Sequence, residues 1–282
     1  MWLVLFVSIA FNLQGQTVDT LRVLAIGNSF SQDAVEQYLH ELGEVSGKPM
    51  IIGNLYIGGA PLSLHWNNVQ ADKAAYSFRK ISVDGQKNTV DKISIHTALQ
   101  DEPWDYISLQ QVSSLSGKFE SYVEPLTGVY RYVDSIMKGN ARLVWHQTWA
   151  YSPTSTHKGF ANYDRDQQTM YRAIMDASSK AIKLMPFDRV IPSGTAIQNA
   201  RSVLGDDLTR DGYHLDLHIG RFIAACTWFE ALYGQQAPVA KFRPEKVSVR
   251  EAKVAQQAAH AAVQQPFSAT EIAVREIEEV SP

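Results

Sequence analysis

The chain has 282 residues, 45% apolar and 20% charged, enough for one large α/β core or two small ones, and a single domain is the simpler reading. Its formal net charge of -3 comes without any basic stripe or cluster of Lys and Arg, which excludes nucleic acid as a partner class. The lone cysteine, Cys226, has no internal disulfide partner and sits in an apolar stretch, where it reads as a buried small hydrophobe.

In chain order, the run Met1 to Phe11 is apolar but short for a bilayer span, and polar residues follow it. It reads as a secretory signal over 1–16 with cleavage near Gln16, a buried amino-terminal strand being the other reading. No Cys follows the run, which argues against a lipid anchor, and no later segment is long enough to span a membrane. A secreted or periplasmic protein without stable membrane insertion is therefore expected. Five apolar runs read as core strands: Leu21 to Ile26, Met50 to Leu55, Tyr106 to Gln110, Arg142 to His146 and Arg189 to Ile191. Amphipathic stretches at Ala34 to Val45, Tyr122 to Met137 and Tyr163 to Leu184 separate most of them, and further helical stretches run over Ile219 to Tyr233 and Val249 to Val263. Strand alternating with helix implies a parallel sheet covered on both faces. Residues 76–95 break the rhythm and read as an inserted β-hairpin turning at Asp84-Gly85. The expected organisation is a signal over 1–16, one domain over 17–265 and a polar tail over 266–282.

Two short motifs far apart carry the chemistry. Gly27-Asn28-Ser29-Phe30-Ser31 follows the first strand, so Ser29 stands at the carboxyl edge of the sheet, where ligands of open α/β folds bind. A serine hydroxyl is a weak nucleophile until a base removes its proton, and Asp211-Gly212-Tyr213-His214 offers His214 as base and Asp211 as its orienter. Taken alone, Asn28-Ser29 is equally a helix cap, and Gly58-Gly59 an ordinary loop.

These motifs resemble the blocks of the SGNH (GDSL) hydrolase superfamily, in particular a poorly characterised secreted bacterial branch, over roughly Leu21 to Tyr233. The resemblance implies a flavodoxin-like three-layer α/β sandwich with a central parallel sheet of about five strands, and esterase activity without metal or organic cofactor. It casts Ser29 as nucleophile and Asp211 and His214 as acid and base. The backbone amides of Ser29, Gly58 and Gly59 then become oxyanion donors. The third block departs from the family's Gly-x-Asn: this chain has Leu109-Gln110-Gln111-Val112-Ser113, so Gln110 first and Gln111 second are the expected side-chain donors.

At the fourth strand end, His146 and Trp149 are candidate substrate contacts, core packing being the alternative for both. His214, Asp216 and His218 would share a face on an extended strand and could hold a metal, but Leu217 to Phe229 reads as helix and no metal is expected. The reading that follows is an esterase acting on O-acyl, chiefly O-acetyl, groups of a small-molecule or glycan substrate. The alternative is a catalytically weak or inactive carbohydrate-binding protein on the same scaffold.

Overall fold

The computed structural model describes residues 19–272; the signal read over 1–16 and the last ten residues of the tail lie outside them. The described chain runs β1 (Leu21–Gly27), α1 (Ser29–Val35), α2 (Leu39–Val45), β2 (Met50–Tyr56), α3 (Leu62–Gln70), β3 (Tyr76–Ile81), β4 (Lys87–Ile93), α4 (Ile95–Leu99) and β5 (Tyr106–Leu109). It continues through α5 (Val123–Met137), β6 (Arg142–His146), α6 (Gln167–Leu184), β7 (Arg189–Ile191), α7 (Ser193–Leu204), α8 (Ile219–Tyr233) and α9 (Val249–Gln264).

The strands form one sheet in the order β4-β3-β2-β1-β5-β6-β7. Pairing is parallel from β2 through β1, β5 and β6 to β7, and antiparallel from β2 to β3 and β3 to β4. The sheet therefore has seven strands rather than about five, because the inserted hairpin does not stand apart but extends the sheet from the β2 edge. It turns at Asp84-Gly85, where Gly85 has φ +78° and the Asp84 side chain accepts from the Gln86 N–H at 3.1 Å. The outer strand β4 is exposed and carries Lys87, Asp91 and Lys92, charges that discourage pairing with another edge.

Alternation along β1 explains the layers. Val23 and Ala25 face one cluster with α1, α2, α8 and α9, while Leu24 and Ile26 face a second with α3 and α5. Burial on both faces is what a β-rich apolar run without polar alternation encodes. The stretch read as one helix over Ala34 to Val45 is two, broken at Tyr38, whose φ of 67° no regular helix contains. Its hydroxyl donates to the Leu217 carbonyl at 2.8 Å and its ring packs edge-on against Phe222, contacts made across the fold. Among the described residues no helix is long and apolar enough to cross a membrane.

The three middle strands bring the site together. Reversal of chain order on either side of β1 puts β2 and β5 beside it, so the segments leaving all three strands meet at one carboxyl edge.

Candidate active site

Ser29 is the first residue of α1, directly after β1, and opens onto a cleft of about 260 Å³. Asn28 shapes the turn: its side-chain oxygen accepts from the Phe30 N–H at 3.0 Å, and its Nδ2 donates to the Ala60 carbonyl at 3.0 Å. The second contact ties the serine turn to the loop bearing Gly58 and Gly59. An aspartate in place of Asn28 lacks that donor. Gly27 must be glycine, since a Cβ there would meet Ser31 Oγ at 2.7 Å and Gln110 Cδ at 2.9 Å. Ser29, Gly58 and Gly59 all line the cleft, and their backbone N–H groups donate to no acceptor within the described residues.

The opposite wall is the loop from Leu208 to Asp216. It folds back on itself through a bridge between Thr209 and Leu215, with the Arg210 N–H on the His214 carbonyl at 3.0 Å and the Asp216 N–H on the Leu208 carbonyl at 2.8 Å. At its tip Gly212 has φ +86° and approaches Ser155 so closely that a Cβ would lie 2.7 Å from its Cα. Asp211 Oδ2 accepts from His214 Nδ1 at 2.6 Å, and Oδ1 accepts from the N–H groups of His214 at 2.7 Å and Tyr213 at 3.1 Å. Partial burial pushes the Asp211 carboxyl up, but these hydrogen bonds outweigh it and hold it below the ordinary aspartate range. With Nδ1–H committed to Asp211, His214 turns a basic Nε2 outward from the pair. Ser29 and His214 line the same cleft without hydrogen-bonding each other.

A buried charge cluster fixes this loop against the serine helix. Asp33, one helical turn beyond Ser29 and fully buried, accepts from Arg221 Nη2 at 2.6 Å, from Arg210 Nη1 at 3.1 Å and from the Leu215 N–H at 2.8 Å. Arg210 also donates to the Leu215 carbonyl, so both backbone polar groups of Leu215 are held by this cluster.

Other expected site residues stand elsewhere. Gln110 is buried outside the cleft: its Nε2 donates to Asn28 Oδ1 at 2.9 Å, and its Oε1 accepts from His146 Nδ1 at 2.8 Å. Gln111 accepts at Oε1 from the N–H groups of Leu62 and Val112, both at 2.9 Å, and donates from Nε2 to Ser121. Both amides are thus spent on fixing loops, so the expected donor role does not fit their placement. His146 is fully buried between Gln110 and Ser193, and burial pushes its ring down to about 3, so it stays neutral and reaches no substrate. Trp149 is also fully buried; its ring stacks on Phe30 at 4.2 Å and its Nε1 donates to the Tyr213 carbonyl at 2.8 Å, which makes it the floor beneath the cleft. Among the described residues no three His, Cys, Asp or Glu side chains converge to hold a metal ion.

The cleft also holds residues that the sequence reading passed over: Tyr56, Val112, Ser113, His157 and Tyr213. His157 Nδ1 accepts from the Gly159 N–H at 3.0 Å, which leaves the ring proton on Nε2. Burial, then the neighbouring His214, lowers the basicity of His157, with Asp211 opposing. Tyr213 lies between the two imidazoles, with ring centroids 4.6 Å from His157 and 4.1 Å from His214. Of the contacts among Asp211, Tyr213, His214 and His157, only the pairing of Asp211 with His214 had a signal in the sequence; His157 follows a Ser-Pro-Thr loop that carries no periodicity.

Residues 22–262 match the family described as Domain of unknown function (DUF4886). Among solved structures, a DUF4886 family protein from Bacteroides uniformis is 51% identical, with a TM-score of 0.87 over 90% of this chain and 98% of that one. A proposed SGNH hydrolase from Slackia heliotrinireducens is 18% identical, with a TM-score of 0.52 over 75% of this chain and 98% of that one, a likeness of fold. No curated protein matches the sequence. The chain belongs to the DUF4886 family and is built on an SGNH-hydrolase-like fold.

Proposed function

We propose that this chain is a secreted or periplasmic serine esterase that removes O-acyl groups, chiefly O-acetyl, from carbohydrate. The observation that carries the reading is the convergence on one cleft of Ser29, the His214–Asp211 pair at 2.6 Å, and the unpaired amides of Ser29, Gly58 and Gly59. Nucleophile, base, orienter and oxyanion donors are the set that acyl transfer requires. In this mechanism His214 Nε2 takes the Ser29 proton as Oγ attacks the ester carbonyl, while Asp211 stabilises the imidazolium that forms. The amides hold the developing oxyanion, the alcohol leaves with the proton from His214, and water, activated by the same imidazole, releases the acid from Ser29. The small volume of the cleft, about 260 Å³, favours a short acyl group. Tyr56 and Tyr213 add aromatic side chains to its lining, the residue type against which sugars pack.

The lack of a Ser29–His214 hydrogen bond favours a second reading, a carbohydrate-binding protein without turnover, although catalytic hydrogen bonds are often long before substrate binds. Ester hydrolysis separates the two. Purified protein should hydrolyse para-nitrophenyl acetate above the buffer rate, and Ser29→Ala should lose that activity while remaining folded by circular dichroism. A fluorophosphonate should label Ser29, read by peptide mass spectrometry. An active Ser29→Ala variant, or wild-type protein with neither turnover nor label, removes the esterase reading.

A further inference from the structure

Resting on that esterase reading, we propose that the Ser113 hydroxyl is the side-chain donor of the oxyanion hole, aimed by Tyr151. Ser113 opens the short turn Ser113–Leu115 that follows β5, at the same sheet edge as the serine turn and the Gly58-Gly59 loop, and it lines the cleft with Ser29 and Gly58. This is the segment in which an amide side chain was expected. Both glutamines there are engaged elsewhere, which leaves Ser113 as the polar side chain of this segment that lines the cleft.

Hydrogen accounting fixes the direction of the hydroxyl. Ser113 Oγ and Tyr151 Oη lie 2.7 Å apart, and neither has another side-chain or backbone partner among the described residues. Two hydroxyls carry two protons, but the contact uses one. Tyr151 is fully buried, so a phenol proton turned away from Ser113 would meet neither water nor an acceptor, and such a stranded donor is costly. Tyr151 therefore donates to Ser113, and the Ser113 proton is left to the cleft that the serine borders. Rings of Phe160 at 5.5 Å, His157 at 5.0 Å and Tyr213 at 5.7 Å enclose Tyr151 and prevent it from swinging away. Burial pushes the pKa of its phenol up, which keeps the proton in place. The serine hydroxyl is thus pre-aligned, as an oxyanion donor must be, since it gains only from charge that develops in the transition state.

The experiment compares wild type, Ser29→Ala, Ser113→Ala, Tyr151→Phe and the double variant Ser113→Ala/Tyr151→Phe by steady-state hydrolysis of para-nitrophenyl acetate, with thermal unfolding alongside. Ser113→Ala should lower kcat by about 10²- to 10³-fold with KM little changed, the signature of a lost transition-state donor. It also strands the Tyr151 proton, so some stability should go with it. The double variant removes both hydroxyls and should regain stability while kcat stays low, which separates catalysis from packing. Tyr151→Phe should cost less, since the serine keeps its hydroxyl but loses its aim. A folded double variant with wild-type kcat, in an enzyme that Ser29→Ala inactivates, overturns the Ser113 assignment and leaves the esterase reading standing. Wild-type protein with no turnover and no labelling of Ser29 overturns both.

Discussion

Asp33 should matter to catalysis although it touches no part of the cleft. It lies one turn beyond Ser29 on α1, grips the loop carrying Asp211 and His214 through Arg210 and the Leu215 N–H, and ties α8, which follows that loop, through Arg221. Asp33 is fully buried and the Arg221 side chain is 9% exposed, whereas that of Arg210 is 33% exposed and partly screened by water. Breaking a buried pair by removing one partner costs about 3–5 kcal/mol, and Asp33→Ala should reach that range through the Arg221 arm, with little added by Arg210. Against the total stability of about 5–15 kcal/mol usual for a domain, that variant is marginal. Asp33→Asn is the sharper probe: it keeps the shape but turns an NH2 toward either Leu215 N–H or the guanidinium groups, stranding a donor at about 1–3 kcal/mol. The loop then settles differently against α1, and a shift of about 1 Å in His214 is enough for a 10²-fold loss of rate. Urea unfolding gives the first quantity and kcat for an acetate ester the second. An Asp33→Asn protein within about 0.5 kcal/mol of wild type and with unchanged kcat would refute the coupling, because surface substitutions without a role fall in that range.

His214→Ala should lose nearly as much activity as Ser29→Ala because the triad works as a unit, and Asp211→Asn should retain more; full activity of His214→Ala would move the base elsewhere, with His218 tested next. The pairing of Asp211 with His214 should survive through the ordinary aspartate range, because the carboxyl is held below it, and the carboxylate's share of stability, fully present above that range, is lost only as pH drops through its lowered value. A pH–rate profile of kcat/KM, with thermal unfolding at the same pH values, checks both. Gly212→Ala should lower both stability and kcat, because the residue needs φ +86° and has no room for a Cβ beside Ser155; an unaffected variant would mean the loop tip relaxes freely.

Strands were legible because burial on both faces leaves apolar runs, and all five such runs are strands here: Leu21 to Ile26 and Met50 to Leu55 each extend by one residue, and Tyr106 to Gln110 ends one residue sooner. Helices were legible where one face is wet or, as in α8 with residues 220–232 all buried, where apolar density is high over a long run. α5 and α9 have polar outer faces; α7 is shorter and packed between neighbours with Gly194 through Ile197 fully covered, and it passed unseen. The stretch over Tyr163 to Leu184 starts late as a helix, at Gln167, because Asp164 and Arg165 adopt φ of 56° and 53° with no glycine to announce it. Tyr38 breaks a helix for the same kind of reason, contacts with Leu217 and Phe222 that are remote in sequence.

Site residues divide along a similar line. Ser29, Gly58 and Asp211-x-x-His214 are placed by backbone turns or a local pair, so spacing along the chain carries their geometry; Gln110 is placed by a long side chain whose direction spacing does not encode. It bridges Asn28 Oδ1 and His146 Nδ1 and never reaches the cleft. Gln110→Ala should therefore act first on stability: it strands the His146 N–H in a fully buried place, at about 1–3 kcal/mol, and adds a cavity where one methylene and the carboxamide were. Loss of the bridge also frees one of the two contacts on the Asn28 oxygen, so Ser29 is less well held and kcat should decline, by less than the roughly 10²-fold expected for a missing oxyanion donor. Gln110→Glu sharpens the comparison, since it keeps the volume but sets a carboxylate oxygen against Asn28 Oδ1. Unfolding midpoints and kcat for the two variants decide between the roles. Stability unchanged with kcat down 10²-fold or more would return Gln110 to the oxyanion hole and take Ser113 out of it; stability lost with kcat largely kept identifies Gln110 as the brace beneath the nucleophile turn.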